Sequence, residues 1–123
     1  MSDQPRFEFF YDCSSPWTYL AFTRVIPLAE QLGVDTQWRP ILVGGVFNAV
    51  NQELYEKRAN WANNERQFTY YLKDLGDWAN FCGIRIIQPR VFPVFSARAM
   101  RGAIFAEDTV RLVPWSRAVF EAY

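Results

Sequence analysis

The chain has 123 residues, half of them hydrophobic, and its 13 Lys and Arg residues balance its 13 Asp and Glu residues to give a formal net charge of zero. This length and composition predict one folded domain with a single core, and they exclude a disordered polypeptide. A zero net charge without a run of basic residues also argues against a nucleic-acid partner.

The scarce residue types restrict the chemistry further. The sequence has no His, which is the usual general base and the commonest metal ligand. Its two cysteines, Cys13 and Cys82, are far apart and lack metal-ligand spacing, so we predict no disulfide framework and no metal site. The N-terminus lacks the pattern of a signal peptide, and no window is long and apolar enough to cross a membrane. We therefore expect a cytoplasmic protein without a membrane partner.

The chain opens with the pattern of a strand, a helix and a second strand. Residues 6–11, RFEFFY, are dense in aromatic side chains and favour a buried strand. Apolar residues at helical spacing follow over residues 15–32, Gly33 predicts the end of that helix, and Pro27 predicts a kink inside it. Residues 34–39, VDTQWR, alternate and predict the second strand of a right-handed βαβ unit.

The next part of the chain changes from α/β to helical character. Residues 41–52 contain a Gly44-Gly45 pair and small polar residues, which indicate a loop leaving the sheet. Residues 53–82 have the spacing of at least one long helix, or of two helices, with Gly83 as the stop signal.

The last third of the sequence continues this helical pattern after an extended segment. Residues 84–93, IRIIQPRVFP, are interrupted by prolines and are predicted to be extended. Ser96 is expected to cap a helix that ends near residue 106, and Pro114 is expected to begin a final helix that runs to Tyr123.

The tetrapeptide Ser15-Pro16-Trp17-Thr18 lies at the predicted start of the first helix. It has the layout of a thioredoxin-type redox motif, in which unpaired N–H groups and the helix dipole stabilise an anion, but neither outer residue is Cys. A Ser15 hydroxyl could donate a hydrogen bond to the thiolate of bound glutathione and hold down the pKa of that thiol. The alternative is that Ser15 only caps the helix and that Pro16 only fills its first turn.

Four ordered blocks of sequence resemble one known family. The stretch FEFFYDCSSPWTYLAF resembles the opening of kappa-class glutathione transferases and the related 2-hydroxychromene-2-carboxylate isomerases. Three later stretches are similar to segments of the same family in the same order: WRPILVGGVFNAVN, YYLKDLGDWANFCGI and VFPVFSARAMRGA. Because the resemblance covers essentially the whole chain, it favours the functional interpretation of Ser15.

The resemblance implies a thioredoxin-like α/β fold of the DsbA type with an inserted helical domain. We expect residues 1–45 to form the N-terminal βαβ part and residues 46–123 to form the helical insertion, which the resemblance implies is incomplete. Full-length relatives continue further, so the ββα segment that completes the thioredoxin fold is expected to be absent from this sequence.

The family's functional residues can be carried over to four positions. Ser15 matches the catalytic serine, which hydrogen-bonds the sulfur of glutathione, the expected cofactor. Thr18 keeps a hydroxyl where the family usually has Ser. Asn51 matches an asparagine that contacts the glycyl end of glutathione, and Trp17 is expected to adjoin the cofactor.

One family contact has no clean counterpart, and the substrate pocket is predicted from aromatic residues. Neither candidate position matches the family's basic glutathione contact cleanly, because Lys57 precedes an apparent insertion and Gln67 stands just ahead of the Tyr70-Tyr71 pair. Trp17, Trp61 and Phe92 are predicted to line an apolar pocket for a small aromatic or electrophilic substrate, although such aromatic residues often serve only as core.

Three functions follow as hypotheses. The first is a glutathione-dependent isomerase or transferase, in which the activated thiolate attacks a conjugated or electrophilic carbon. The second is a truncated, non-catalytic remnant that self-associates as a dimer or higher oligomer, through an unpaired edge of the first strand or through the helical part. The third, a thiol-disulfide oxidoreductase, is disfavoured because the motif has no sulfur to exchange. Cys13 does not replace it, because it lies before the helix start, where it gains less from the N–H groups than Ser15, and because a lone buried Cys is usually inert.

Overall fold

The computed structural model of the chain describes residues 6–91 and 94–122, apart from the side chains of Tyr55, Ala59, Trp61 and Ala62. In these ranges it contains two strands and six helices: β1 (Phe7–Tyr11), α1 (Pro16–Leu32), β2 (Thr36–Pro40), α2 (Val43–Val50), α3 (Glu53–Ala62), α4 (Glu65–Cys82), α5 (Ala97–Phe105) and α6 (Leu112–Glu121).

The two strands form a parallel pair that α1 connects, as the sequence predicts. In their register Phe9 lies opposite Trp38, and the two rings meet edge to face with centroids 5.4 Å apart. Side chains alternate between the faces of a strand, so Tyr11 is buried while its neighbour Phe10 is 59% exposed. β2 begins at Thr36, two residues later than predicted.

Both ends of α1 are fixed by the residues that the sequence pattern indicates. Ser15 is the N-cap, and its side chain accepts a hydrogen bond from the Thr18 N–H. Gly33 adopts the left-handed conformation with φ 63°, which lets its N–H reach the carbonyl groups of the last turn. The helix continues through Pro27, and the kink there stays a prediction.

The loop predicted over residues 41–52 is wrong, because Val43–Val50 form the helix α2. Both glycines lie in its first turn with ordinary negative φ, since only Gly33 and Gly83 have positive values among the described glycines. The Val43 N–H donates to Asp12 Oδ2 at 2.9 Å, so a distant carboxylate satisfies one of the helix's unpaired donors. That tertiary bond offsets the low helix propensity of glycine.

The remaining helices follow the predicted order with small changes at their ends. Residues 53–82 form two helices, and α4 is capped by the Asn64 side chain and by Gly83 in the left-handed conformation. Ser96 occupies the N-cap position of α5 but makes no side-chain capping bond. α6 begins at Leu112, so Pro114 lies inside its first turn, where a missing N–H costs little.

The core lies between the sheet, α1 and the last two helices. Its buried residues come from both ends of the chain: Tyr11, Cys13, Tyr19, Phe22, Met100, Ala103, Leu112 and Phe120. A second cluster joins α1 to α4 through Leu20, Leu75 and Ala79. The first cluster therefore contains residues from both sides of the predicted boundary at residues 45 and 46, and that boundary stays a prediction.

No helix in the described part of the chain is long and apolar enough to span a membrane.

The N-terminal part of α1 and the residues before it are packed against helices from later in the chain. α4 packs against α1 in the cluster around Leu20, and α5 and α6 pack with the preceding residue Cys13 in the first cluster. The tetrapeptide that the sequence singles out is thus held between the helices rather than on a free loop.

Candidate functional site

The Ser15 hydroxyl lies at the N-terminus of α1 and is half-buried. Its Oγ accepts a hydrogen bond from the Thr18 N–H at 3.3 Å, which makes Ser15 a true helix cap. A hydroxyl has one donor hydrogen besides its acceptor lone pairs, so this cap leaves the hydrogen able to bond a ligand. Capping and ligand binding are therefore compatible roles for the same side chain.

The first turn of α1 favours negative charge. Pro16 has no N–H, the Thr18 N–H is taken by Ser15, and the Trp17 N–H has no acceptor within the helix. The first turn contains no acidic residue, and a helix of 17 residues directs the positive end of its dipole to this point. An anion placed beside Ser15 would be stabilised by both features.

Asp12 holds the loop that precedes the helix. Its side chain is buried, with the residue only 2% exposed, and each carboxylate oxygen accepts a backbone N–H. Oδ1 accepts from Ser14 and Oδ2 accepts from Val43, both at 2.9 Å. The carboxylate thereby ties the end of β1 to the start of α2, which fixes the backbone on which Ser15 is mounted.

Cys13, two residues before Ser15, is buried and is poorly suited to act as a nucleophile. It is 2% exposed, and its backbone N–H donates to the Met100 Sδ at 3.2 Å. Burial, followed by the charge of Asp12, raises the pKa of the Cys13 thiol to about 12. A thiol with this pKa is protonated at neutral pH, as expected for an inert core cysteine.

Trp17 faces α4 and is held by Tyr71. Its indole Nε1–H donates to the Tyr71 hydroxyl at 3.2 Å, and the two rings meet edge to face at 5.8 Å. The residue is half-buried, so part of its surface is accessible. Its predicted roles toward a cofactor and a substrate stay predictions.

The other predicted site residues lie further away or outside the described residues. Asn51 is exposed and ends α2, with its N–H bonded to the Phe47 carbonyl. Because α2 begins beside Asp12, Asn51 lies one helix length from the loop. Phe92 and the side chain of Trp61 are outside the described residues. The structure therefore brings Ser15 and Trp17 together and sets Asn51 at a distance.

One cleft is lined by Tyr71, which bonds Trp17, and a second is lined by Cys13 and Ser14, which precede Ser15. The α4 cleft, of about 710 Å³, is lined by Asn64, Arg66, Gln67, Tyr70, Tyr71 and Asp74. The α5–α6 cleft, of about 400 Å³, is lined by Cys13, Ser14, Val94, Phe95, Ser96, Ala99, Trp115, Ala118, Val119 and Ala122. Sequence reasoning did not identify Phe95 or Trp115, although Phe95 lies in a block that resembles the family. No group of acidic, Cys or His side chains in the described ranges could hold a metal ion.

The positions considered for the family's basic contact have other roles in the structure. Lys57 forms an exposed ion pair with Glu53, one turn earlier in α3. The Gln67 N–H donates to the capping side chain of Asn64. The basic residue that lines the α4 cleft is Arg66, adjacent to Gln67.

Comparison with known proteins identifies the family. The profile of the DSBA-like thioredoxin domain matches residues 6–123, so the chain belongs to that family. A solved structure of selenomethionine 2-hydroxychromene-2-carboxylate isomerase matches with a TM-score of 0.72 at 24% identity. The match covers 94% of this chain and 54% of the isomerase, so the chain spans about half of that protein's length. Curated protein sequences give no match.

These findings confirm the predicted fold class. The chain has a mixed α/β thioredoxin-like fold with an N-terminal βαβ unit of two parallel strands and a mostly helical remainder. At this level of identity the structural likeness establishes the fold alone.

Proposed function

We propose that this DSBA-like thioredoxin domain binds glutathione at the N-terminus of α1 and is part of an isomerase or transferase of the 2-hydroxychromene-2-carboxylate isomerase type. The observation that carries the proposal is the half-buried Ser15 hydroxyl, which caps α1 through its oxygen and keeps its hydrogen for a ligand. The structural likeness to an enzyme of that name supports the choice of reaction class.

The residues around Ser15 suit a sulfur anion that comes from outside the protein. Glutathione supplies a thiolate, which an isomerase regains in each turnover and a transferase loses into its product. Ser15 would donate to that sulfur while the Trp17 N–H and the helix dipole stabilise its charge. A hydrogen bond to a charged group contributes about 1.5–3 kcal/mol, equivalent to lowering the thiol pKa by about 1–2 units.

The chain's own sulfur atoms do not compete for this position. Cys13 is buried and its thiol has a pKa of about 12, so it stays protonated and out of contact with solvent. Cys82 lies at the far end of α4. Both observations favour glutathione chemistry over thiol-disulfide exchange by the protein itself.

Asn51 is proposed to hold the glycyl end of glutathione. The eight residues of α2 span about 12 Å, since a helix rises about 1.5 Å per residue. An extended tripeptide spans about 10 Å. The separation between the two ends of α2 is therefore of the same scale as the ligand, with Asp12 fixing the near end through Val43.

A second candidate function is a non-catalytic, self-associating protein. β1 pairs with β2 and with no further strand among the described residues, so its second edge offers unpaired backbone groups. Such an edge favours association with another chain. Glutathione affinity separates the two functions, because self-association alone gives no reason for Ser15 to bind a thiol.

Titration calorimetry with glutathione tests the proposal. We expect saturable binding by the wild-type chain and at least about tenfold weaker binding by Ser15→Ala, the loss expected for about 1.4 kcal/mol. Ser15→Thr, which keeps a hydroxyl, should restore binding. Thr23→Ala serves as a control, because it removes from the same helix a hydroxyl that donates to the Leu20 carbonyl and lines neither cleft. Equal affinity of the wild-type chain and Ser15→Ala would contradict a role for the hydroxyl.

A further inference from the structure

One stretch of the chain is basic although the chain as a whole is neutral. Residues 78–106 contain four of the 13 Lys and Arg residues and none of the 13 Asp and Glu residues. All four are arginines: Arg85, Arg90, Arg98 and Arg101. Each is exposed, and none takes part in the ion pairs that the described residues form. The segment therefore carries positive charge that no carboxylate in the described part of the chain pairs with.

Two of these arginines share one face of α5 with an exposed aromatic ring. Arg98, Arg101 and Phe105 are three and four residues apart, the spacing that places helical side chains on one face. Phe105 is 92% exposed, and the adjacent Ile104 is 52% exposed. Together Arg98, Arg101, Ile104 and Phe105 form the α5 stripe. It spans about 10 Å along the helix and combines positive charge with apolar surface.

Packing on the other sides of α5 fixes the orientation of the stripe. Met100 and Ala103 are buried in the core. Trp115 of α6 packs so closely on Gly102 that a Cβ there would lie 2.3 Å from the Trp115 Cζ2. The indole Nε1–H also donates to the Ala99 carbonyl at 3.1 Å. Because α5 cannot rotate without breaking these contacts, the stripe faces solvent in one orientation.

The composition of the stripe is that of a protein interface. Interface cores are enriched in aromatic residues and Arg and depleted in Lys, Glu and Asp, and the stripe has two Arg, one Phe and one Ile. A guanidinium pairs with a carboxylate through two parallel hydrogen bonds, so arginines select an acidic partner. Anionic lipid surfaces are bound by clusters of about four to eight basic residues, twice the number in the stripe or more. Charge complementarity therefore favours an acidic protein segment.

We infer that the α5 stripe is a docking surface for an acidic amphipathic helix of another protein. Two carboxylates of that helix pair with Arg98 and Arg101, and an apolar side chain packs on Phe105 and Ile104. This surface is separate from the proposed glutathione site, because none of the four residues is among those that line the two clefts. The inference therefore goes beyond the proposed function and does not depend on it.

Three synthetic helical peptides of equal length test the inference on the wild-type chain. The first carries a Leu, a Glu four residues later and a second Glu three residues after that, which is the spacing of the stripe in reverse. The second has Gln in place of both Glu residues, and the third has both Glu residues on the face opposite the Leu. Binding is followed through the NMR signals of the α5 amides. We expect saturable shifts with the first peptide and at least about fivefold weaker binding of the other two, because they lose the charge pairs.

Two double substitutions with the same change in charge separate the stripe from general electrostatic attraction. Arg98→Gln combined with Arg101→Gln should weaken binding of the first peptide at least about fivefold. Arg85→Gln combined with Arg90→Gln removes two arginines from the same basic segment but outside α5. It should change the affinity by less than about twofold, since exposed charges away from the contact are screened by salt. Phe105→Ala should also weaken binding, because the apolar contact is lost.

Three results would each overturn the inference: no saturable shift with the first peptide, equal affinity for the first and second peptides, or equal weakening by the two double substitutions. Two other occupants of the stripe give distinct results. A second copy of the chain would shift the α5 signals with protein concentration in the absence of peptide, and Phe105→Ala would abolish that shift. A bilayer would make the chain sediment with phosphatidylserine vesicles while the first peptide fails to bind. Either result would overturn the assignment to an acidic protein partner.

Discussion

At the scale of single residues, Asp12 fixes the loop between β1 and α1 through two backbone hydrogen bonds. Its buried carboxylate accepts the N–H groups of Ser14 and Val43, which belong to different elements. An unsatisfied buried donor costs about 1–3 kcal/mol, so each of these two bonds contributes to the stability of the folded chain. The position of the Ser15 hydroxyl depends on this support, because the loop sets where the helix starts.

Replacing Asp12 with Ala should therefore destabilise the chain. We expect the free energy of unfolding to fall by about 2–4 kcal/mol, since two N–H groups lose their acceptor. Asp35→Ala, at an exposed position, should change it by less than about 0.5 kcal/mol. Urea unfolding measures both variants, and equal stability for them would show that the two bonds contribute nothing.

Cys13 predicts a loss of stability at alkaline pH. The pKa of its thiol is raised by burial from the ordinary value of 9.0 to about 12. Between these values the unfolded chain releases the proton while the folded chain keeps it, so unfolding becomes more favourable as the pH rises. The contribution of the Cys13 thiol to the free energy of unfolding should not change with pH below about pH 9. Above that pH it should fall by about 1.4 kcal/mol per pH unit.

Cys13→Ala isolates this effect. The slope of unfolding free energy against pH, measured with urea between pH 9 and pH 10, should be shallower in the variant than in the wild-type chain. Tyr11, whose pKa burial raises from 10.0 to about 12, adds its own loss above pH 10 in both proteins. Identical slopes below pH 10 would show that the Cys13 thiol ionises in the folded chain as readily as in the unfolded one.

At the scale of elements, local signals predicted α1 and α4 but not α2. Ser15 and Gly33 mark the ends of α1 because their capping bonds are made with neighbours in sequence. The start of α2 depends on Asp12, 31 residues away, and no local pattern contains that bond. The apolar spacing of Val43, Val46 and Phe47 is the signal that could have indicated the helix despite its two glycines.

Two helical glycines should respond to Ala in opposite directions. Gly76 in α4 has open space around a Cβ, so Gly76→Ala should stabilise the chain by about 0.4–1 kcal/mol through helix propensity. At Gly102 in α5 the added Cβ would lie 2.3 Å from the Trp115 Cζ2, and overpacking costs about 1–3 kcal/mol. Thermal unfolding compares the pair; stabilisation of both by Ala would contradict the close packing of Trp115.

At the scale of the whole molecule, the exposed edge of β1 bears on association. β1 has one strand partner among the described residues, and Phe10 in it is 59% exposed. A second candidate surface is α5, where Phe105 is 92% exposed. Both an unpaired strand edge and exposed aromatic residues favour contact with another chain.

We expect the wild-type chain to have a mass in solution above that of the 14.4 kDa monomer, with dissociation on dilution. Phe10→Lys should move the equilibrium toward monomer if the β1 edge forms the contact, because a lysine on an edge strand disfavours further pairing. Phe105→Lys should do so if α5 forms it. Analytical ultracentrifugation distinguishes these cases, and a wild-type monomer at all concentrations tested would contradict self-association.

The whole arrangement of the site could be predicted only in part. The sequence indicates Ser15 because its motif is contiguous and lies at a helix start. The α5–α6 cleft brings Phe95 and Trp115 beside Cys13, and these residues are far apart in sequence and join only through tertiary packing. No residue spacing in the sequence predicts this contact, so the sequence analysis did not name Phe95 or Trp115.

The central claim is that Ser15 stabilises the thiolate of bound glutathione, and the pKa of that thiol tests it most directly. It is measured from the ultraviolet absorbance of the thiolate as the complex is titrated with base. We predict a pKa lowered by about 1–2 units in the wild-type complex, and a return toward the free value in Ser15→Ala but not in Ser15→Thr. An unshifted pKa in the wild-type complex, or the same shift in Ser15→Ala, would contradict the claim.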